Sequence, residues 1–232
     1  INIYNNFDCM DKIFKNKINH YTMNAISGLS GLEPTIKIIK FTKKIAIANK
    51  ESIICGWPLI KKELLKNKTE FVPIDSEHFS IYSLIDKSKN KDIDNIYITA
   101  SGGPFLKLPL KSFKDIEIKS ALKHPNWKMG KKITIDSATM MNKVFEIIEA
   151  KKIFDLDYDK LKILVHPKSY VHAIIKFKNG LTKILIHDTN MTIPIFNSLY
   201  NKDEKQIKTN RLNFSIINKM NFENINQKRF PV

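Results

Sequence analysis

Short apolar segments alternate with amphipathic segments through the first half of the chain. The apolar segments cover residues 45–48, 70–74 and 95–100, and they have the length and composition of strands buried in a parallel sheet. Between them, apolar spacing and turn residues predict helices over 34–40, over the stretch carrying Trp57, Ile60, Leu64 and Leu65, and around 79–85. Alternating strands and helices predict a mostly parallel α/β sheet.

The second half of the chain has a different pattern. Residues 131–146 predict a short strand that runs into a helix, and 161–165 and 171–178 predict two further strands. Asn179-Gly180 has the composition of a two-residue hairpin turn, so it predicts an antiparallel strand over 181–187. The expected fold class is therefore α/β passing into α+β.

The chain is strongly basic, with a formal charge of +16 over 232 residues. Such a charge is typical of proteins that bind nucleic acid or an anionic membrane surface. Of the 39 basic residues, however, only Arg211 and Arg229 are arginines, and phosphate and base recognition favour the arginine fork. The lysines are spread along the chain, which favours a solvated surface. We predict no nucleic-acid partner, and a basic nucleic-acid-binding module stays as an alternative function.

Cysteine usage and the first residues bear on the compartment. Cys9 and Cys55 are too few for a disulfide framework or a thiolate metal site, which indicates a reducing compartment. No run of about 18 apolar residues is present, so we expect no membrane partner. The chain opens on Ile1 and shows no secretory signal, which predicts an internal part of a longer protein. A bacterial cytoplasm is expected, and a plastid stays open because a transit segment would precede Ile1.

Three acidic residues are candidate metal ligands. Asp75 and Glu77 follow a predicted strand, and residues two apart on an extended segment face the same side, so both can bind one hard cation. Glu146 can supply a third carboxylate, which leaves positions on Mg²⁺ or Mn²⁺ for water and substrate. The spacing alone is weak evidence, because Asp-x-Glu is more often a pair of solvated surface acids.

Two segments have the composition of an anion-binding site. Ser101-Gly102-Gly103 follows a predicted strand and exposes a hydroxyl and backbone N–H groups, as phosphate sites do. Ser137, Asn142 and Lys143 offer a hydroxyl, an amide and an ammonium beside an acidic residue, and this set can hold a phosphorylated polyol. A tight turn, a serine that caps the helix at its start and solvated side chains are the structural alternatives.

Histidines occur in two further segments. His124–Gly130 combines a histidine, a tryptophan and a glycine between predicted elements, which is the composition of a lid, although the tryptophan can equally pack on the core. His166 and His172 are six residues apart, which is no metal motif, and they are interpreted as core or loop histidines.

Five blocks of the sequence carry a joint signal. They are Ala48-Asn49-Lys50-Glu51-Ser52, Val72-Pro73-Ile74-Asp75-Ser76-Glu77-His78, Ser101-Gly102-Gly103-Pro104-Phe105, His124-Pro125-Asn126-Trp127-Lys128-Met129-Gly130 and Asp136-Ser137-Ala138-Thr139-Met140-Met141-Asn142-Lys143. In this order the blocks resemble the 1-deoxy-D-xylulose 5-phosphate reductoisomerase family. The resemblance covers most of the chain and is strongest from Ala46 to His172.

The resemblance implies a role for each matching residue. The implied metal ligands are Asp75, Glu77 and Glu146. The residues implied to bind substrate are Lys50, Ser76, Glu77, Ser101, His124, Ser137, Asn142, Lys143 and Glu146. Five of the residues in these two sets are also implied to be catalytic, namely Asp75, Glu77, Glu146, Lys50 and His124. The residues implied to contact NADPH are Asn49, Glu51 and Gly130, and those implied to form a flap over the site are Trp127 and Met129.

The resemblance also implies a function and an architecture. The function is the NADPH-dependent and Mg²⁺- or Mn²⁺-dependent rearrangement and reduction of 1-deoxy-D-xylulose 5-phosphate, a small phosphorylated sugar, by a homodimer. The product is 2-C-methyl-D-erythritol 4-phosphate, an intermediate of isoprenoid biosynthesis. The implied fold is the end of a Rossmann-like parallel-sheet domain (1–74), an α+β catalytic domain with an antiparallel hairpin (75–205) and the start of a linker to a C-terminal helical domain (206–232).

The sequence departs from the family pattern in three ways. Val144-Phe145 stands where the family has Gly-Leu, so we expect different packing in the helix that places Glu146. Residues 188–191 lack the Pro-Asp-Met form of the family. The family's glycine-rich NADPH fingerprint would precede Ile1, so we expect the isolated chain to bind NADPH poorly and to turn over little. A non-catalytic relic of the enzyme is the second alternative function.

Overall fold

The computed structural model describes residues 6–85, 90–127, 129–200, 205–209, 213–218 and 220–232. Its strands are β1 (Asn19–Asn24), β2 (Thr42–Ile47), β3 (Glu70–Pro73), β4 (Ile93–Ala100), β5 (Leu161–Val165), β6 (Val171–Phe177) and β7 (Thr182–Ile186). Its α-helices are α1 (Met10–Phe14), α2 (Leu32–Ile39), α3 (Lys50–Asn67), α4 (Ser76–Ile85), α5 (Ile118–Ala121), α6 (Lys131–Ala138), α7 (Met141–Phe154), α8 (Thr192–Leu199) and α9 (Phe214–Ile217). The strands form one parallel and one mixed sheet, so the predicted fold class is confirmed.

The first sheet is parallel, with the strand order β1-β2-β3. The apolar pattern predicts β2 and β3 but not β1, because Asn19–Asn24 has no apolar run. In β1, polar side chains form hydrogen bonds with one another and with the backbone instead. The hydroxyl of Thr22 donates to that of Thr42 across the β1–β2 pair at 2.9 Å, and the Asn24 amide donates to the Gly31 carbonyl at 2.9 Å.

Helices α2 and α3 cover the first sheet. Ile45 and Ile60 are fully buried in the core between these helices and the sheet. α3 begins directly after β2, where the Asn49 side chain accepts a hydrogen bond from the Ser52 N–H at 2.6 Å and caps the helix. Lys50 therefore projects from the carboxyl end of a parallel sheet, which is the edge at which α/β folds bind ligands.

The second sheet is mixed, with the strand order β5-β4-β6-β7. β4 runs parallel to β5 and antiparallel to β6, and β6 runs antiparallel to β7. Ile96, Ile98 and Ile175 are fully buried between this sheet and helices α4 and α7. The sheet therefore has its own apolar core.

The hairpin predicted at Asn179-Gly180 is confirmed, but its turn has three residues rather than two. The Phe177 N–H donates to the Leu181 carbonyl at 2.8 Å, so these two residues close the hairpin. Gly180 has a φ of 86°, and its N–H donates to the Phe177 carbonyl at 3.0 Å. This is the three-residue loop in which a left-handed glycine follows a tight turn.

The strand predicted after residue 130 is wrong, because residues 131–138 form helix α6. The β-branched residues of the segment favour a strand when taken alone. Thr134, however, is buried, and its hydroxyl donates to the Gly130 carbonyl at 2.8 Å, as in a helix. Met140 has a left-handed conformation with a φ of 65° and separates α6 from α7. Ser137 consequently lies in the last turn of α6, so the predicted capping position at a helix start is wrong.

Helices α3 and α7 pack against each other and join the two sheets. Ile153 of α7 contacts the cores of both sheets. The first sheet ends at Pro73 and the second begins at Ile93, and the division into domains at residues 74 and 75 stays a prediction. None of the helices in the described ranges is both long and apolar enough to cross a membrane.

Candidate active site

The ends of β2, β3 and β4 and the α6–α7 junction enclose a cavity of about 240 Å³. The predicted residues that line it are Lys50, Asp75, Ser76, Glu77, Ser101, His124, Trp127, Met129, Ser137, Asn142, Lys143 and Glu146. The cavity therefore brings together all the predicted metal, substrate and flap residues. The predicted NADPH contacts Asn49, Glu51 and Gly130 lie outside its lining.

Three carboxylates converge in this cavity. Asp75, Glu77 and Glu146 place one oxygen each within 4.8 Å of the others. The extended segment predicted for the first two is wrong, because the chain turns into α4 at Ser76 and Glu77 lies in the first turn of that helix. The carboxylates meet because α7 packs against α4 and so places Glu146 beside them. Their oxygens form a candidate site for one hard cation.

Two buried lysines neutralise part of this negative charge. The Lys50 Nζ lies 2.8 Å from Asp75 Oδ2 and 3.5 Å from Glu146 Oε1. The Lys143 Nζ lies 2.7 Å from Glu77 Oε1 and 2.5 Å from Glu146 Oε2. Removing one partner of a buried pair leaves an uncompensated charge, at a cost of about 3–5 kcal/mol. Each lysine therefore holds its carboxylates in place.

Burial and charge act on the pKa values of this cluster in opposite directions. Burial and repulsion from Glu77 raise the pKa of Glu146 to about 7, and Lys143 and Lys50 only partly oppose them. Burial also raises the pKa of Glu77, but its neighbours, Lys143 foremost, together outweigh burial and hold that pKa well below its usual range. Burial lowers the pKa of Lys50, and Asp75 and Glu146 outweigh it, so that pKa is raised overall. The cluster thus carries more acid than its lysines balance, which favours binding of a further cation.

Two side chains of α7, Asn142 and Glu146, meet in the cavity. Asn142 and Glu146 are one helical turn apart, and the Asn142 amide donates to Glu146 Oε1. The Lys50 Nζ donates to the Asn142 Oδ1 at 2.7 Å. The amide therefore connects a lysine of the first sheet to a carboxylate of α7 and orients both.

Sequence reasoning assigns no role to a buried pair behind the carboxylates, His78 and Glu149. The His78 Nδ1 lies 3.3 Å from Glu149 Oε2, and its Nε2 lies 2.9 Å from the Glu146 carbonyl oxygen. With Asp75 these two residues form a second group of ligand atoms within 4.8 Å. The pair ties α4 to α7 and so sets the distance between Glu77 and Glu146. The spacing of three residues from Glu146 to Glu149 is the signal that places both on one helix face.

The Ser101-Gly102-Gly103 turn approaches the end of α6 closely. The Ser101 Oγ accepts a hydrogen bond from the Gly103 N–H at 3.1 Å. Both glycines have positive φ values, 81° and 66°. A Cβ on Gly103 would lie 2.8 Å from the Ser137 carbonyl oxygen, so only glycine permits this approach. The turn thereby brings Ser101 and Ser137 to one side of the cavity.

His124 connects this turn to the predicted flap. Its Nδ1 accepts hydrogen bonds from the backbone N–H groups of Asn126 at 3.1 Å and Trp127 at 2.9 Å. Its Nε2 lies 3.0 Å from the Ser101 Oγ, and the tautomer assigned from these bonds carries its proton there. Burial, and then the charge of Lys143, lower the pKa of His124. His124 is therefore a neutral donor at the Ser101 side of the cavity.

His172 is buried, as predicted, but it also lines the cavity, which sequence reasoning missed. The Trp127 ring contacts it edge to face with centroids 6.1 Å apart, and the His187 ring stacks on it at 3.7 Å. Burial, and then His187, lower the pKa of His172 to about 3, so it stays neutral. The period of two along β6, which turns His172 away from the core of the second sheet, is the signal that could have identified it.

The predicted NADPH contacts lie at the starts of α3 and α6, outside the lining of the cavity. The Asn49 side chain donates to the Gly28 carbonyl at 2.7 Å besides capping α3. Glu51 pairs with Lys132 at 3.1 Å, and Gly130 is the exposed residue at which α6 begins. Their contact with a cofactor stays a prediction.

At the departure Val144-Phe145, the Phe145 ring contacts a lysine of α6. The Lys132 Nζ lies 4.7 Å from the centroid of the Phe145 ring and 2.7 Å from Asp136 Oδ2. Glu146 is only 1% exposed and points into the cavity. The larger side chain is therefore accommodated beside α6, away from the carboxylates.

Comparison with known proteins assigns the chain to a family. The profile described as 1-deoxy-D-xylulose 5-phosphate reductoisomerase matches residues 1–56, and that of the reductoisomerase C-terminal domain matches 71–154. The 1-deoxy-D-xylulose 5-phosphate reductoisomerase of Pelagibacter ubique (strain HTCC1062) is 65% identical over 234 residues, which cover 100% of this chain. The chain belongs to the 1-deoxy-D-xylulose 5-phosphate reductoisomerase family. A reductoisomerase of the same name from Sulfurihydrogenibium sp. (strain YO3AOP1) is 43% identical over 90% of the chain.

Solved structures of reductoisomerases have the same fold. DOX-P reductoisomerase in complex with NADPH, fosmidomycin and magnesium matches with a TM-score of 0.86 and 31% identity, over 97% of this chain and 57% of that chain. The reductoisomerase of Zymomonas mobilis in complex with NADPH matches with a TM-score of 0.82 and 36% identity, over 91% of this chain and 54% of that chain. This chain spans 60% of the Pelagibacter reductoisomerase and 55% of the Sulfurihydrogenibium one.

Proposed function

We propose that this chain carries the metal and substrate site of a 1-deoxy-D-xylulose 5-phosphate reductoisomerase. The reaction is the NADPH-dependent and Mg²⁺- or Mn²⁺-dependent conversion of 1-deoxy-D-xylulose 5-phosphate to 2-C-methyl-D-erythritol 4-phosphate, a step of isoprenoid biosynthesis. The convergence of Asp75, Glu77 and Glu146 in one cavity carries the proposal. Membership of the family and the relative solved with NADPH, fosmidomycin and magnesium support it.

The residues of the carboxylate cluster fit a divalent cation. Carboxylate oxygens are the ligands that Mg²⁺ and Mn²⁺ prefer. Burial, and then repulsion from Glu77, raise the pKa of Glu146 to about 7, and a bound cation would offset both effects. Asp75, Glu77 and Glu146 would hold the ion. When bound, it supplies Lewis-acid chemistry, polarising the oxygens of the substrate while the carbon skeleton rearranges.

A second set of residues would hold the rest of the substrate. Hydroxyl, imidazole, amide and ammonium groups are proposed to bind the phosphate and hydroxyls of the substrate. They belong to Ser76, Ser101, His124, Ser137, Asn142 and Lys143. Charge-assisted hydrogen bonds to a phosphate are strong and directional. Binding energy from this non-reacting end orients the other end of the substrate at the carboxylates.

Lys50 and the flap would act on the reacting end. The raised pKa of Lys50 keeps its ammonium charged, so it can donate to a substrate oxygen on which negative charge develops. Trp127 and Met129 border the cavity and would exclude water from it. Asn49, Glu51 and Gly130 are the proposed contacts of NADPH, which supplies hydride when bound.

The proposal extends to assembly and location. We propose a homodimer in a bacterial cytoplasm, because the resemblance implies a dimer and the relatives are bacterial. Residues 1–74 are proposed as the end of the cofactor domain, 75–205 as the catalytic domain and 206–232 as the start of a linker.

Glu146→Gln tests this function in the intact protein. The amide keeps the size of the side chain but removes the charge, so kcat/KM with 1-deoxy-D-xylulose 5-phosphate and NADPH is expected to fall by about 100-fold or more. Affinity for Mn²⁺, measured by electron paramagnetic resonance, is expected to fall with it. Glu117→Gln, at an exposed position, is the matched control. Unchanged turnover in Glu146→Gln would contradict the assignment.

A further inference from the structure

The C-terminal strap, residues 220–232, returns to the second sheet after a polar region. The Glu223 N–H donates to the Val165 carbonyl at 2.9 Å and the Val165 N–H donates to the Glu223 carbonyl at 2.8 Å, which extends the edge at β5. The Phe222 ring stacks on His166 with centroids 5.0 Å apart. The family resemblance implies the start of a linker over 206–232, yet the strap is bound to the folded chain at several points.

Phe230 of the strap packs behind two residues that line the Ser101 side of the cavity. It is 5% exposed and packs in one apolar cluster with Ala100 and Met140. Ala100 directly precedes Ser101, and Met140 is the left-handed residue between α6 and α7. A single strap side chain therefore supports both segments that carry the proposed phosphate-binding groups.

Arg229 of the strap holds the loop that follows the Ser101 turn. Its Nη1 donates to the Phe105 carbonyl at 2.7 Å and to the Leu108 carbonyl at 2.5 Å. Between these two carbonyls lies Leu106, which packs where a side chain on Gly102 would stand, since a Cβ there would lie 2.7 Å from it. The guanidinium thus fixes a loop that presses directly on the turn.

We propose that Arg229 is a positioning residue for substrate, acting through the 105–108 loop on Ser101-Gly102-Gly103. This inference rests on the proposed function, because it takes the Ser101 side of the cavity as the end that binds phosphate. Arg229 touches neither the cavity nor the carboxylate cluster. Its loss is therefore expected to weaken phosphate binding and to leave the cation site intact.

Three substitutions in the intact protein test this role. Arg229→Met keeps a long apolar stem, which can still pack on the Phe113 ring that the guanidinium now covers at 5.4 Å. Arg229→Lys keeps the charge and one donor nitrogen, but it lacks the planar guanidinium that lies over the Phe113 ring. Lys228→Met removes a charge from the adjacent exposed residue and is the control.

The measurements separate positioning from a general loss of structure. Arg229→Met is expected to raise the KM for 1-deoxy-D-xylulose 5-phosphate about tenfold and to weaken the binding of inorganic phosphate, followed by phosphorus NMR, by a similar factor. The kcat and the affinity for Mn²⁺ are expected to stay within about twofold. For Arg229→Lys, the KM and the phosphate affinity are expected to lie between those of Arg229→Met and those of the parent. For Lys228→Met, both are expected to match the parent.

Two results would overturn the inference. One is phosphate affinity in Arg229→Met equal to that of the parent, and the other is a loss of Mn²⁺ affinity in step with that of phosphate, which would indicate general loosening. An intact parent protein that turns over no substrate would instead refute the proposed function. The phosphate titration would still decide the role of Arg229, and a parent that binds no phosphate would count against it.

Discussion

Gly103 is the residue at which the geometry of the site depends most on the absence of a side chain. Its φ of 66° and its approach to the Ser137 backbone are separate demands, and glycine meets both. Gly180 in the β6–β7 hairpin meets only the first, because a Cβ there would contact nothing within 4 Å. The two glycines therefore allow strain and steric overlap to be measured separately.

Gly180→Ala is expected to lower the free energy of unfolding by about 1–2 kcal/mol, the cost of a left-handed alanine. Gly103→Ala is expected to cost about 1–3 kcal/mol more, because the methyl group also overlaps the Ser137 carbonyl. Urea denaturation of both variants provides the comparison. Equal losses would show that the end of α6 moves away freely, contrary to its close approach to Gly103.

Individual site residues are predictable from sequence where residue type alone determines the chemistry. Asp75, Glu77 and Lys143 are recognisable as charged groups beside strand ends and helix starts. Their proximity in the folded chain is not predictable from the sequence, because it depends on the first turn of α4 and on the packing of α7, which are tertiary features. His78 escapes prediction for the same reason, since its partners Glu149 and the Glu146 carbonyl lie far away in sequence.

At the scale of elements, the strap is held partly by a titratable group. His166 is fully buried, stacks on Phe222, and its Nδ1 lies 3.0 Å from the Asn221 carbonyl oxygen. Burial lowers the pKa of His166, although the Asn221 carbonyl partly opposes this. The unfolded chain keeps the ordinary pKa of about 6.5, so it binds a proton more readily than the folded chain.

The stability that neutral His166 contributes is therefore complete above pH 6.5 and is lost as the pH falls through its lowered folded-state pKa. Urea midpoints measured from pH 8 to pH 5 should fall more steeply in the parent than in His166→Gln, which has no charge to gain. His20→Gln, on a more exposed histidine with the same unfolded charge, serves as the control. Parallel curves for the parent and His166→Gln would contradict the expectation.

Elements follow the sequence pattern where local periodicity and burial agree. β2, β3 and β5 combine apolar runs with turn residues, and the structure confirms them. β1 has no apolar run, and hydrogen bonds of its threonine and asparagine side chains stabilise it instead. α6 is a helix although its sequence contains β-branched residues. In both elements long-range contacts override local preference, and one sequence does not contain those contacts.

On the scale of the whole molecule, Ile153 couples two apolar cores. It packs against the core of each sheet, whereas Ile147 on the same helix packs only against that of the second. Trp57 lies in the first core and Trp127 borders the cavity beside the second sheet. Variants with a single tryptophan therefore report on each half of the molecule.

Ile153→Ala is expected to cost about 2 kcal/mol and to separate the unfolding transitions seen by Trp57 and Trp127. Ile147→Ala, the matched control, is expected to lower stability with both transitions still coincident. Fluorescence during urea denaturation of the single-tryptophan proteins gives both curves. Coincident transitions in Ile153→Ala would show that other contacts are sufficient to couple the sheets.

The strap also has a consequence for the order in which a growing chain can fold. The carboxylate cluster and its lysines all lie between residues 50 and 146, so they can assemble once α7 has left the ribosome. The support beneath the Ser101 turn comes from Arg229 and Phe230, which are made about 80 residues later, or several seconds at ordinary rates of synthesis. During that interval the nascent chain would carry the proposed cation site before the support of its proposed phosphate pocket is complete.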